Sequence, residues 1–255
     1  MKLSAADIKY VKTLQQKKFR KQYGVFLAEG EKVVNELVSS EFEIEGIYGL
    51  GGWVEQFGHQ IRKGVPLFTV SESELTRISG LKTPNRVLAV VKTPNLQVVP
   101  DPTSEGLILA LDTIQDPGNL GTIIRTADWF NIRQVVCSPD TAEVFSPKVI
   151  QATMGSFLRV KVFYTDLAAF LKKAWLKVPV YGAFLQGDDV FEVSSGKGCI
   201  LVVGNESAGI SAEVAKYVSK RLKIPGGAPP VEGFQADSLN ASVAAGILMA
   251  ILTRS

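Results

Sequence analysis

Six short, nearly unbroken apolar runs in the C-terminal half restrict the fold of this chain more than any other feature: Leu107–Leu111, Gln134–Cys137, Val160–Phe163, Val178–Phe184, Cys199–Val203 and Leu222–Ile224. Each has the length of a strand, and helical patterns separate them. A strand that is apolar at successive positions, rather than alternate ones, must be covered on both faces. The expected architecture is therefore α/β, a mainly parallel sheet with helices on both faces.

The N-terminal half follows a finer rhythm. Ile8, Val11, Leu14 and Phe19 predict an amphipathic first helix, followed by a strand at Val25–Ala28 and a helix at Gly30–Val38. Strands near Ile44–Tyr48, Pro66–Val70 and Arg86–Val91 then alternate with helices near Trp53–Arg62 and Glu72–Ile78. The last of these opens on Ser71, with Glu74 three residues on, as a capping box requires. Between the halves, the stretch Thr93–Gly106 holds three prolines and ends on glycine, the composition of a linker. At 255 residues the chain is near the size at which single cores stop growing. Two domains are expected, 1–95 and 107–255, joined by 96–106.

Charge divides along the same line. Residues 1–95 carry 14 Lys/Arg against 10 Asp/Glu, the remainder 14 against 15. Lys2, Lys9, Lys12, Lys17, Lys18, Arg20 and Lys21 face only Asp7 in the first 21 residues, a candidate nucleic-acid footprint or simply a solvated helix face. Two widely spaced cysteines, Cys137 and Cys199, exclude a disulfide scaffold and any zinc or iron–sulfur spacing, and they fit a reduced cytoplasm. A single histidine, His59, argues against metal-binding His clusters and Ser-His-Asp chemistry. No metal is expected. The longest apolar stretch, Leu239–Leu252, is too short for a spanning helix and includes Asn240 and Ser242, so no membrane association is expected.

Three segments are too polar and glycine-rich for their positions at strand ends, where open parallel sheets bind ligands. The first, Asp112–Arg125, contains Asn119-Leu-Gly121 and then Arg125; Asn119 is a candidate helix cap and Arg125 a candidate phosphate fork. The second runs Val203-Gly204-Asn205-Glu206-Ser207-Ala208-Gly209-Ile210-Ser211. It has neither a G-x-G-x-x-G nor a G-K-[ST] pattern, so a dinucleotide or NTP, and with it a nucleotide-dependent oxidoreductase, is not indicated. Glycines without lysine suit an adenosine close to backbone, or an ordinary left-handed turn. The third comprises Ile224-Pro225-Gly226-Gly227 and, after a loop, Ser238-Leu239-Asn240-Ala241-Ser242 leading through Ala244 into an apolar helix, where polar residues need hydrogen-bond partners.

In this order, Asn119-x-Gly121-x-x-x-Arg125, Gly204-Asn205-Glu206-x-x-Gly209, Ile224-Pro225 and Ser238-Leu239-Asn240-x-Ser242 resemble the three motifs of the SpoU family of RNA 2′-O-ribose methyltransferases. The likeness covers 107–255. The basic N-terminal helix and Phe26-Leu-Ala-Glu29-Gly30 resemble that family's small ribosomal-protein-like RNA-binding domain. The resemblance implies a deep trefoil knot in the C-terminal sheet domain and a homodimer through that domain. It further implies methylation of a ribose 2′-hydroxyl in structured RNA, rRNA or tRNA, with S-adenosyl-L-methionine as cofactor.

Residue by residue, it implies catalytic roles for Asn119, Arg125, Glu206, Ser238 and Asn240. Cofactor contacts are implied for Val203, Gly204, Asn205, Gly209, Ile224, Gly226, Ser238, Leu239 and Ala244. Asn119 and Glu206 are expected to orient the Arg125 guanidinium, and Ser238 and Asn240 to fix the ribose. Two departures from the family pattern border the expected cofactor site: Ser207-Ala208 where glycine is frequent, and a longer, proline-bearing loop over 226–237. The alternative reading is an RNA-binding assembly factor that keeps the fold without catalysis.

Overall fold

A computed structural model describes residues 3–96, 98–103, 106–193, 198–227 and 237–254. In chain order the first elements are α1 (Ala5–Thr13), α2 (Lys17–Tyr23), β1 (Val25–Glu29), α3 (Glu31–Val38), β2 (Ile44–Leu50), α4 (Gly51–Phe57), β3 (Leu67–Val70), α5 (Glu72–Ile78) and β4 (Val87–Lys92). There follow β5 (Leu107–Leu111), α6 (Pro117–Trp129), β6 (Gln134–Cys137), α7 (Pro147–Thr153), β7 (Lys161–Tyr164), α8 (Leu167–Ala174), β8 (Val180–Asp189), β9 (Cys199–Val203), α9 (Ala212–Ala215), β10 (Lys220–Lys223) and α10 (Ala241–Leu252). The chain forms two compact units, residues 1–95 with 143–158 and residues 96–142 with 159–255.

The first unit is built on a four-stranded sheet, β1-β4-β2-β3, in which β4 runs antiparallel to both neighbours and β2 and β3 are parallel. Strands β1 and β4 are buried on both sides. Phe26, Ala28, Val87, Ala89 and Val91 join Val34, Leu37 and Trp53 in one core. The alternate residues Val25, Leu27, Leu88 and Val90 join Ile8, Val11, Leu14 and Ile78 in the other.

The expected single N-terminal helix is two. The Arg20 guanidinium explains the break, since its Nη1 donates to the carbonyls of Leu14 (3.0 Å) and Gln15 (2.9 Å), which a continuous helix would have used itself. The same side chain, 5% exposed, forms a bidentate pair with Glu143, Nη2–Oε2 2.9 Å and Nε–Oε1 3.4 Å. Arg20 is thus no part of a basic surface, whereas Lys9, Lys12, Lys17, Lys18 and Lys21 are exposed; Lys2 lies outside the described residues. The Ser71 capping box forms as expected, and a second one, Ser4 with Asp7, starts α1.

Glu143 introduces the main departure from the expected domain plan. The stretch 143–158, assigned from sequence to the second domain, packs with the first unit. Phe145 and Phe157 meet Phe26 at ring-centroid distances of 4.6 and 5.7 Å, and Ile150 of α7 enters the same core. An apolar helix face shows that a helix must be covered, but not which sheet covers it.

In the second unit, a six-stranded sheet has the order β10-β8-β9-β5-β6-β7, and every ladder in it is parallel. Ile108, Ala110, Ile200 and Val202 pack against Leu167, Phe170 and Leu171 of α8 and Val214 of α9. The alternate residues Leu109, Leu111, Leu201 and Val203 point to the opposite face, and α10 packs on β9 and α6 there. Ala241 and Ala245 of α10 are buried there, while a Cβ on Gly246 would meet the Thr126 methyl of α6 at an ordinary 3.7 Å. Among the described residues no helix is long and apolar enough to cross a membrane.

Breaking a buried ion pair on one side costs about 3–5 kcal/mol when both groups are fully buried; Glu143 is 21% exposed, so Glu143→Ala is expected to cost about 2 kcal/mol. Urea unfolding measures the loss. Hydrogen exchange should accelerate across 143–158 before the rest of the unit.

Candidate active site

Because all strands of the second unit are parallel, their carboxyl ends bring the three polar segments to one edge of the sheet. After β5, Asp116 rather than Asn119 caps α6: its side chain accepts from the Asn119 backbone N–H at 2.8 Å, and Pro117 occupies the first turn. Asn119, three positions past that cap in the first turn of the helix, has its side chain free to reach another segment.

After β9 the chain makes a tight loop. The backbones of Asn205 and Gly209 exchange two hydrogen bonds, 3.0 and 2.9 Å, and Gly209 is left-handed at φ +69°. A Cβ on Gly204 would lie 2.3 Å from the Gly209 carbonyl carbon, so this glycine is required by the loop's own closure before any ligand is considered. The Asn205 side chain braces the turn, accepting from Ser207 and Ala208 N–H and donating to the Thr113 carbonyl at 3.0 Å. Ser211 stands at the N-cap of α9 but makes no side-chain cap bond.

The third segment meets the first two at Glu206. Its Oε1 accepts from Asn119 Nδ2 (2.9 Å), from Asn240 Nδ2 and from the Ala241 N–H (3.0 Å), while Asn240 Nδ2 also reaches Asn119 Oδ1 at 2.9 Å. Asn240 caps α10 with its oxygen, which accepts from the N–H groups of Ser242 and Val243 and from the Ser242 hydroxyl. That fixes the amide orientation: with the oxygen at the helix, only the nitrogen can face a carboxylate, which donates nothing when ionised. Three residues that the motifs singled out separately thus form one cluster.

Arg125 stands apart from it. It lies two turns into α6, is exposed, and makes no hydrogen bond or ion pair with another described residue. Asn119 and Glu206 bond each other and Asn240 instead of orienting this guanidinium, contrary to expectation. The Asn240 amide, fully engaged in the cap and the cluster, is a poor candidate to hold a ribose. Ser238 is exposed and lines the neighbouring cleft.

That cleft has a volume of about 1080 Å³. Val203, Gly204, Asn205 and Gly209 form one side of it, Ile224 and Gly226 another, and Ser238, Leu239 and Ala244 a third. Every residue assigned to cofactor contact is among its walls, with Glu206 also in the lining. The greater part of the long loop, residues 228–236, lies outside the described residues.

Sequence reasoning missed the residues behind the loop. Asp112, 3% exposed at the end of β5, accepts from the Ser211 N–H at 2.7 Å and from the Thr113 hydroxyl at 3.2 Å. Thr113 is left-handed at φ 59°, unusual for a β-branched residue, and its N–H donates to the Ser138 hydroxyl at 2.8 Å. A carboxylate directly following the buried run Leu107–Leu111 was the available signal. Neither thiol offers chemistry: burial pushes Cys199 up to about 11 and also raises Cys137. Among the described residues no group of three His, Cys, Asp or Glu could hold a metal.

Comparison with known proteins adds to this geometry. Residues 106–250 match the SpoU rRNA Methylase family, and residues 5–89 match the MRM3-like substrate binding domain. The chain is 32% identical to the 23S rRNA (guanosine(2553)-2′-O)-methyltransferase RlmP of Bacillus subtilis, across 95% of this chain and 94% of that one. Among solved structures, one from Porphyromonas gingivalis assigned to the TrmH family aligns with a TM-score of 0.84 at 37% identity, covering 99% of this chain and 98% of that one. An AdoMet-bound rRNA methyltransferase from Sinorhizobium meliloti aligns with a TM-score of 0.84 at 29% identity, covering 98% and 96%.

Removing the buried Asp112 carboxylate leaves the Ser211 N–H without its partner. Asp112→Ala is expected to cost about 1–3 kcal/mol. Asp112→Asn should cost less, since an amide can accept from Ser211 and donate to Thr113. Urea denaturation of the two variants checks the order.

Proposed function

This chain belongs to the SpoU rRNA methylase family, and from that premise we propose that it transfers the methyl group of S-adenosyl-L-methionine to a ribose 2′-hydroxyl of structured RNA, rRNA or tRNA. The observation that carries the reading is the meeting of all three motif segments at one cleft, with Glu206, Asn119 and Asn240 hydrogen-bonded at its edge. The residues present fit the cofactor. Apolar walls at Val203, Ile224 and Leu239 suit an adenine ring, and Gly226 adds no side chain to the lining beside them. When bound, the cofactor supplies an electrophilic methyl group on a cationic sulfur.

The difficulty left to the protein is that a ribose hydroxyl is a poor nucleophile and must lose its proton as it attacks. Arg125 does not take that proton, because a guanidinium stays protonated in proteins. We assign it to clamping the target phosphate and stabilising the developing alkoxide, the proton leaving to phosphate or water. Its exposure and its lack of a partner among the described residues suit a group that waits for substrate. Asn119, Glu206 and Asn240 act by holding three loops in register, and Ser238 is the hydroxyl left to meet the ribose.

Further parts of the reading rest on the same premise. Residues 1–95 are the RNA-binding domain, supported by the exposed lysines of α1 and α2 and by the substrate-binding family match. The return of the chain from β10, at the sheet edge, to α10 beside β9 and α6 supports a deep trefoil knot. A homodimer through the C-terminal domain is supported by Trp129 on α6 and Val243 on α10, 84% and 49% exposed on adjacent helices. We place the enzyme in the cytoplasm, consistent with its free, buried thiols.

Arg125→Lys keeps the charge and loses the planar fork. It should lower methyl transfer from labelled S-adenosyl-L-methionine to RNA by about 100-fold or more, with cofactor affinity in calorimetry unchanged. Near-normal turnover would remove the clamp. Sedimentation equilibrium of the full chain should return a dimer mass, lowered toward the monomer by Trp129→Glu.

A further inference from the structure

Beyond the motif segments, the cleft has one more wall, made by an irregularity in the sheet. The ladder between β8 and β10 is regular at Lys220↔Tyr181 and Arg221↔Gly182, and then jumps to Leu222↔Asp188. Residues 183–187 therefore loop out of β8 opposite two successive residues of β10. Glycines bracket the excursion for steric reasons. A Cβ on Gly182 would lie 2.6 Å from the Phe184 ring, and one on Gly187 would lie 2.4 Å from the Arg221 carbonyl oxygen. The bulge is thus pressed against β10, and its aromatic ring is seated over backbone.

On that ring lies the Arg221 guanidinium, its central carbon 4.6 Å from the Phe184 centroid. Both residues line the cleft. A cation–π contact of this kind holds the guanidinium at the ring face while leaving its N–H groups available for hydrogen bonds. No acidic partner among the described residues takes them. The neighbouring Lys220 pairs with Asp188 at 3.2 Å, and Glu206, a carboxylate of the same cleft, is engaged with Asn119, Asn240 and the Ala241 N–H. The cleft therefore has an apolar, glycine-lined side at Gly204 and Ile224 and a stacked, unpaired cation on another wall. A ligand that fills both needs a heteroaromatic group and an anionic group on a short arm.

We propose that Arg221, positioned by its stack on Phe184, binds the α-carboxylate of the methionyl arm of S-adenosyl-L-methionine. This rests on the methyltransferase reading and adds to it a cofactor-binding residue outside the three motifs. A guanidinium–carboxylate pair is charge-assisted and can be bidentate, which makes it one of the stronger single contacts such a site can offer. It also predicts discrimination between ligands that share the adenosine and differ only in the amino-acid arm.

Calorimetry on the full chain with two probes tests it: S-adenosylhomocysteine, which has the carboxylate, and 5′-deoxy-5′-methylthioadenosine, which lacks the amino-acid group. Arg221→Met keeps apolar contact with Phe184 and removes the charge. It should weaken S-adenosylhomocysteine about tenfold or more and change methylthioadenosine by less than about twofold. Arg221→Gln serves the same comparison if the methionine variant does not fold, and Arg221→Lys should fall between wild type and Arg221→Met. Equal loss for both probes would make Arg221 a structural residue, and no loss for either would leave it outside the cofactor site; each overturns the proposal, as does a variant that loses only RNA affinity. If the wild-type chain binds neither probe, the methyltransferase reading fails first and the proposal with it.

Discussion

A single carboxylate oxygen joins the parts of this site. Glu206 Oε1 receives hydrogen bonds from residues 119, 240 and 241, bringing together the loops after β5 and β9 and the start of α10. Each bond alone is modest, because Glu206 is exposed and water competes for it. What makes the arrangement persist is that its supports are already built. Asn205 and Gly209 close the loop carrying Glu206, Asp112 holds the Ser211 end from inside the sheet, and Asn240 is committed to capping α10. The carboxylate then meets donors that pay little further entropy to face it.

Such a site suits a reaction in which proton transfer is not the main burden on the protein. It contains no histidine and no reactive thiol, and a guanidinium is a poor proton acceptor. Rate enhancement must come from bringing hydroxyl and methyl donor into line and from a fixed positive charge where negative charge develops. In the proposed mechanism the pre-formed contacts within the loops and the guanidinium of Arg125, which has no partner among the described residues, divide those two tasks.

Much of this was legible from residue order alone. Apolar strands at Leu107–Leu111 and Cys199–Val203 required cover on both faces, and the polar residues at their ends marked the ligand edge. The Ser71 box and the Asn240 cap could be read because capping depends on three or four neighbouring residues. What could not be read depended on partners distant in sequence. Arg20 looked like one more surface cation until Glu143, 123 positions away, and two helix-end carbonyls accounted for it. Asp116 displaced Asn119 as the cap of α6, which freed Asn119 for Glu206 rather than Arg125. Gly204 looked like room for a ligand, whereas its first neighbour is the backbone of Gly209. The β8 bulge has no local signature beyond its two glycines, since the register between strands is set by the whole sheet.

The placement of 143–158 bears on how this protein could be taken apart. The chain leaves the unit formed by 96–142, contributes Phe145, Ile150 and Phe157 to the core around Phe26, and returns at residue 159. The units are therefore not beads on a string, and no single cut in the gene separates them. A fragment ending in the linker would lack the aromatic residues that close its own core, and a fragment beginning there would carry an apolar helix with nothing to cover it. Exchange of the N-terminal unit between relatives, in evolution or by design, must move two separate pieces of sequence at once, or move a surface for α7 along with them.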